Sequence, residues 1–300
     1  MSTTPTKEML RGIVHRMQTG ESSGAYGDLQ TLLNSSREQG DRETEATALH
    51  LMGVVAQEQG RLEESRMLLE LSVRLKQGIG DRQGAGASYH QLGILWQEQG
   101  RYDEARMYFE QSLEVARMLG DRRAEASGYH QLGSLALRTA DYDVALNYFR
   151  ASLTLEDQIG NVHGRAVSLN NLANVYSRLG DMETAVRCHE ESLAICRRIG
   201  DLAGSSSSLR NLGIAYARLG DSPRAIAALE EAIAISREVG DTPSLGYALL
   251  SLALTQLSMD DTGSARRGLD EALALFERLG VEPPHAAKQL QSQLIDSNAQ

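Results

Sequence analysis

Three histidines stand forty residues apart, at His50, His90 and His130. Imidazole is both a zinc ligand and a general base near neutral pH. Equivalent residues of stacked helices lie about 8–10 Å apart. A zinc ion needs its nitrogens at about 2 Å, so these three cannot share one ion, and a polar row is expected instead. Beside them runs an amide-rich series: Gln91, Gln131, Asn170, Asn171, Asn174 and Asn211. Side-chain amides donate and accept at once, so a ladder of them can satisfy the backbone of an extended peptide whatever its sequence. A third series starts as Glu58 and Glu98 and changes sign to Arg138, Arg178 and Arg218. With Arg210 these guanidinium forks can clamp carboxylates or phosphorylated side chains. No glycine-rich phosphate loop, Gly-x-Ser-x-Gly, His-Glu-x-x-His or cysteine cluster occurs, so no reaction, metal or cofactor is expected.

The chain of 300 residues is 41% hydrophobic but only 5% aromatic, with 5 prolines. Such a core must be built from Leu, Ala, Ile and Val on closely approaching helices. The net charge of −10 repels phosphate backbones and argues against nucleic acid as a partner. No apolar run approaches the ~20 residues that span a bilayer, and no secretory pattern opens the chain. The cytoplasm is the expected location, with no membrane partner. Cys188 and Cys196 stand eight apart within one expected helix, about 12 Å along its axis. That is too far for a disulfide, which needs Cα atoms within ~7 Å.

What must position these side chains is a repeat. Glycine recurs at 40, 60, 80, 100, 120, 160, 180, 200, 220, 240 and 280, with Ala140 and Asp260 in the two gaps. A break thus falls every 20 residues, and the full unit is 40. Units open on Gly-Asp pairs such as Gly80-Asp81 and Gly200-Asp201, or on Gly160-Asn161. The glycine caps one helix in the left-handed conformation and the Asp or Asn N-caps the next. Between breaks the apolar spacing is i, i+3, i+4, i+7, as in Tyr89, Leu92, Gly93, Trp96 and Leu209, Leu212, Gly213, Tyr216, which predicts helices. Leu92, Leu132, Leu172 and Leu212 are expected to be buried. Second helices carry Ala105 with Phe109, Ala145 with Phe149, Ala225 with Leu229 and Ala265 with Leu269. The small residue marks the contact within a hairpin.

Tyr89, Leu92, Gly93, Trp96, Ala105 and Phe109 together resemble the tetratricopeptide repeat. The unit is 40 residues long, longer than usual for the family, and the family's late proline is absent. This resembles the long-repeat branch that includes kinesin light chains, spindle-orientation adaptors and repeat portions of bacterial regulators. The resemblance implies an all-α, right-handed superhelical solenoid of helix-turn-helix hairpins. Residues 1–40 are expected to form a degenerate N-terminal hairpin, 41–280 six repeats, and 281–300 a capping helix and tail.

In this family the first helices line the concave groove. The expected groove residues are therefore His90, Gln91, His130, Gln131, Asn170, Asn171, Asn174, Arg178, Arg210, Asn211 and Arg218, with Leu51 and Leu250 marking its ends. Two roles stay open for the amides, a bound backbone or a neighbouring helix. Two also stay open for the arginines: an acidic or phosphorylated segment of the partner, or the C-terminal dipole of their own helix together with acidic neighbours such as Asp181 and Asp221. The function expected is a protein–protein interaction scaffold that holds a protein or peptide and catalyses nothing. A sensor of a signalling peptide is the alternative, and a small-molecule or enzymatic groove is a third.

Overall fold

The computed structural model describes residues 4–18 and 22–296. Parts of the terminal segments, at residues 1–3, 19–21 and 297–300, lie outside the described residues. Among the described residues every regular element is an α-helix. The chain falls into two compact units, Met1–Asp141 and Tyr142–Gln300.

The first unit holds α1 (Thr4–Gln18), α2 (Ser22–Gln39), α3 (Arg42–Glu58), α4 (Leu62–Gly78), α5 (Arg82–Glu98), α6 (Tyr102–Leu119) and α7 (Arg122–Arg138). The second holds α8 (Tyr142–Ile159), α9 (Val162–Leu179), α10 (Met182–Ile199), α11 (Leu202–Arg218), α12 (Ser222–Val239), α13 (Thr242–Leu257), α14 (Thr262–Arg278) and α15 (His285–Asp296). The helices end where the twenty-residue series places the breaks. Gly120 and Gly200 take φ of 67° and 71°, and Ala140 and Asp260 adopt the same left-handed conformation at 62°. Each following acid or amide starts the next helix. Asp81 Oδ1 accepts from Gly84 N at 2.8 Å and Asn161 Oδ1 from Gly164 N at 3.1 Å, satisfying amides that have no partner inside the helix.

Within a hairpin a small residue of the first helix receives a large one of the second. A Cβ on Gly93 would lie 2.5 Å from the Phe109 ring, and one on Gly213 the same distance from Leu229 Cγ. Phe109 is fully buried, a gain of roughly 2–3 kcal/mol. Leu92, Leu132, Leu172 and Leu212 are all buried. Successive hairpins are joined by serine pairs sixteen residues apart: Ser72–Ser88 at 3.3 Å, Ser152–Ser168 at 3.2 Å and Ser192–Ser208 at 3.1 Å. These polar seams let helices of one unit approach without leaving hydroxyls unpaired. In the first unit Ile13, Ala25 and Leu29 share a core with Leu49 and Met52. In the second, Ala287, Leu290 and Leu294 of α15 join a core cluster drawn from α10 to α14.

Candidate functional site

In the first unit the histidine row is mostly buried and neutral. His50 Nδ1 lies 3.0 Å from Ser88 Oγ of the next hairpin. Burial, and behind it the charge of Lys76, pushes the His50 pKa down to about 3. His90 packs against the Phe109 ring at 5.7 Å between centroids. Its pKa is lowered by burial and then by His130, and that of His130 is lowered by burial. Gln91 Nε2 donates to Gln57 Oε1 at 2.8 Å, and Gln57 Nε2 donates to Glu98 Oε2 at 2.7 Å. These amides stitch α5 to α3. Gln131 is half-buried on α7.

Below the row, Lys76 is 4% exposed. Its Nζ donates to Ser88 Oγ at 3.0 Å and to the Gly84 carbonyl at 3.2 Å. Burial pushes its pKa down to about 8, although Asp81 pulls the other way. Sequence reasoning gave this lysine no role.

In the second unit the amides of α9 and α11 form one cluster. Asn211 Nδ2 donates to Asn170 Oδ1 at 3.3 Å and to Asn174 Oδ1 at 3.1 Å. Asn170 Oδ1 lies 2.7 Å from His189 Nδ1, which therefore carries the hydrogen. Both Asn170 and Asn174 spend their oxygens on these contacts. Among the described residues their own NH2 groups have no acceptor. Asn171 is half-buried beside them, in a cleft of about 340 Å³ that Asn170 and Ser207 also line.

His189 is 1% exposed and sits at the packing position that Phe109 and Phe149 hold elsewhere. Burial first, and the charge of Arg210 second, push its pKa down to about 3. Sequence reasoning missed it. The signal was an Ala185–His189 pair where the other second helices that carry this alanine follow it with Phe or Leu.

Arg210 is the charged member of the cluster. Burial lowers its pKa, with Tyr247 opposing. It makes no hydrogen bond or ion pair among the described residues. Arg178 and Arg218 lie exposed at the ends of α9 and α11. Arg218 Nη1 donates to the Ser177 carbonyl at 3.3 Å, and Arg178 has no ion pair among the described residues. Neither pairs with the nearby acids. Asp181 caps Thr184 N, and Asp221 caps Arg224 N and pairs with the Arg224 guanidinium. Leu250, expected at the end of a groove row, is 4% exposed and belongs to the core. The row turns inward there because α13 is apolar on more than one face.

Helix hairpins repeating every 40 residues, with polar side chains gathered on their first helices, define a helical-repeat protein. The chain belongs to the tetratricopeptide repeat family, whose model matches residues 43–117, 84–156 and 164–238. The model of anaphase-promoting complex subunit 5 matches residues 242–277. No curated protein matches the chain in sequence. Among solved structures it is similar to BtubC (BKLC) from P. vanneervenii, at 22% identity over 76% of this chain and 94% of that one, with a TM-score of 0.63. Aspartyl phosphate phosphatase F from Bacillus subtilis is similar at 13% identity over 88% of this chain and 73% of that one, with a TM-score of 0.71. A signal transduction ATPase with a tetratricopeptide repeat sensor, from Pyrococcus horikoshii, is similar at 14% identity over 99% of this chain and 53% of that one, with a TM-score of 0.66. At such identities the likeness is one of fold. No described helix is long and apolar enough to cross a membrane.

Proposed function

We propose that the chain is a protein-binding scaffold that holds an acidic peptide segment on the first-helix face of its second unit, without catalysing a reaction. The observation that carries this reading is a surplus of donors on α9 and α11. Arg210 brings a guanidinium stripped of much of its water, with no protein acceptor among the described residues. The NH2 groups of Asn170 and Asn174, whose oxygens accept from Asn211 and His189, likewise have no acceptor among the described residues. A partly buried cation without an acceptor costs solvation that a bound carboxylate would restore. Backbone carbonyls of the same segment suit the free amide donors and Asn171. Arg178 and Arg218, exposed on the same helices, extend the positive stripe in a chain whose net charge is −10.

Selection from a random-peptide display library on the purified chain tests this reading. Recovered peptides should be enriched in Asp and Glu, and a selection against Arg210→Gln should lose that enrichment. Peptides of neutral or basic composition, or an enrichment that survives the substitution, would contradict it.

A further inference from the structure

A second cleft lies in the first unit, far in sequence from the donor cluster. It has a volume of about 380 Å³ and is bounded by α5, α6 and α7, with His50 of α3 at its edge. The repeat itself explains why it is open. Forty residues earlier, the place of Ala116 is taken by Lys76, whose side chain fills the seam and bonds to Ser88 and Gly84. Forty residues later it is taken by Glu156, and eighty residues later by the small Cys196, beside which the cleft of about 340 Å³ in the second unit also stays open. Alanine leaves that volume empty.

The seam's hydrogen bond is missing here as well. Ser72, Ser152 and Ser192 each meet a serine sixteen residues on. Ser112 has Gly128 at that distance, and its hydroxyl makes no hydrogen bond among the described residues. Ser112 lines the cleft together with Ala116, Val115, Leu119, His90 and Gln91. The lining combines an apolar floor with hydroxyl, amide and imidazole groups and contains no Lys or Arg. Its one carboxylate, Asp121, accepts from Ala124 N as a helix cap.

We infer that this cleft is a binding site for a small uncharged molecule with an apolar ring and a hydrogen-bonding substituent. The volume is that of ordinary small-ligand sites, about 300–1,000 Å³. An anion would find no cation on the lining. A cation would find only a carboxylate already engaged by the backbone. His90, His50 and the Ser112 hydroxyl offer donors and acceptors to a neutral amide or hydroxyl. Burial keeps both imidazoles uncharged at neutral pH.

Benzamide, benzoate and benzamidine share one ring and nearly one shape but differ in charge, and they serve as probes. Titrated into the full chain and followed by amide NMR, benzamide should shift the signals of Gly86, Ala87, Ser112 and Ser127. Benzoate and benzamidine should shift them at least roughly tenfold more weakly, since a desolvated charge without a partner is costly. Ala116→Leu, which fills the cleft, should abolish the benzamide response while leaving the rest of the spectrum folded. Ser112→Ala removes one hydrogen bond and should weaken binding roughly threefold to tenfold, giving a readout should the leucine variant not fold. The inference is overturned if benzamide leaves these signals unmoved. It is equally overturned if a charged probe binds as well, or if neither substitution reduces the response.

Discussion

Replacing Lys76 with methionine tests whether the seam between α4 and α5 holds a buried charge. The side chain is 4% exposed, and burial lowers its pKa from the ordinary 10.5 to about 8. One pKa unit corresponds to about 1.4 kcal/mol. The gap therefore amounts to roughly 3 kcal/mol of destabilisation while the lysine is charged. Methionine keeps most of the volume but gives up the bonds to Ser88 Oγ and the Gly84 carbonyl, at about 0.5–1.5 kcal/mol each. Near neutral pH, Lys76→Met should therefore raise stability by up to about 2 kcal/mol. The pH dependence carries a definite sign. Between about 8 and 10.5 the unfolded chain holds a proton that the folded chain has released, so the stability of the natural chain rises with pH across that window. Urea denaturation of both proteins at pH 7, 8, 9 and 10 isolates this residue, because all other groups cancel in the difference. The advantage of the variant should shrink above pH 8 and reverse by pH 10. A difference that does not change with pH, or a variant less stable at pH 7, would refute the reasoning.

Further outcomes follow from packing and burial. Gly93→Ala should cost about 1–3 kcal/mol, because its Cβ would sit 2.5 Å from the Phe109 ring. Gly78→Ala, with nothing within 4 Å of its Cβ, should gain about 0.5–1 kcal/mol from helix propensity; paired thermal melts read both. Acid should destabilise the fold between pH 6.5 and about 3, where His50 and His189 stay neutral in the folded chain but protonate when it unfolds. His189→Phe, which restores the residue type of the equivalent Phe109, should flatten part of that acid limb in denaturation curves collected from pH 7 to pH 4.

The fold was legible because its determinants are local. A glycine or its substitute every 20 residues, an Asp or Asn after it, and Leu92, Leu132, Leu172 and Leu212 at one register are read directly from spacing. The first-helix polar rows were legible for the same reason. Their partners were not, because those depend on which side chain of the neighbouring hairpin reaches across. Nothing in the spacing told that Asn211 would bridge Asn170 and Asn174, or that Gln91 would meet Gln57. Arg178 and Arg218 had plausible acidic neighbours in sequence, yet Asp181 and Asp221 are taken by helix starts, which claim the nearest backbone amides first. His189 was visible as a break in the alanine-to-large-residue pattern. Leu250 could be placed only once the neighbouring helices were seen to enclose it.

The central claim, that the donor cluster on α9 and α11 takes an acidic segment, rests most directly on Arg210. A display-selected acidic peptide should be titrated calorimetrically into the natural chain and into Arg210→Gln. Glutamine keeps hydrogen-bonding capacity but removes the charge. Since Arg210 has no hydrogen-bond or ion-pair partner among the described residues, the variant should melt at the same temperature or higher. Its affinity for the peptide should fall roughly tenfold to a hundredfold, the worth of a charge-assisted hydrogen bond. Added salt should weaken the natural complex more than the variant complex. Equal affinities in two folded proteins, with equal salt dependence, would contradict the assignment of the acidic segment to this face.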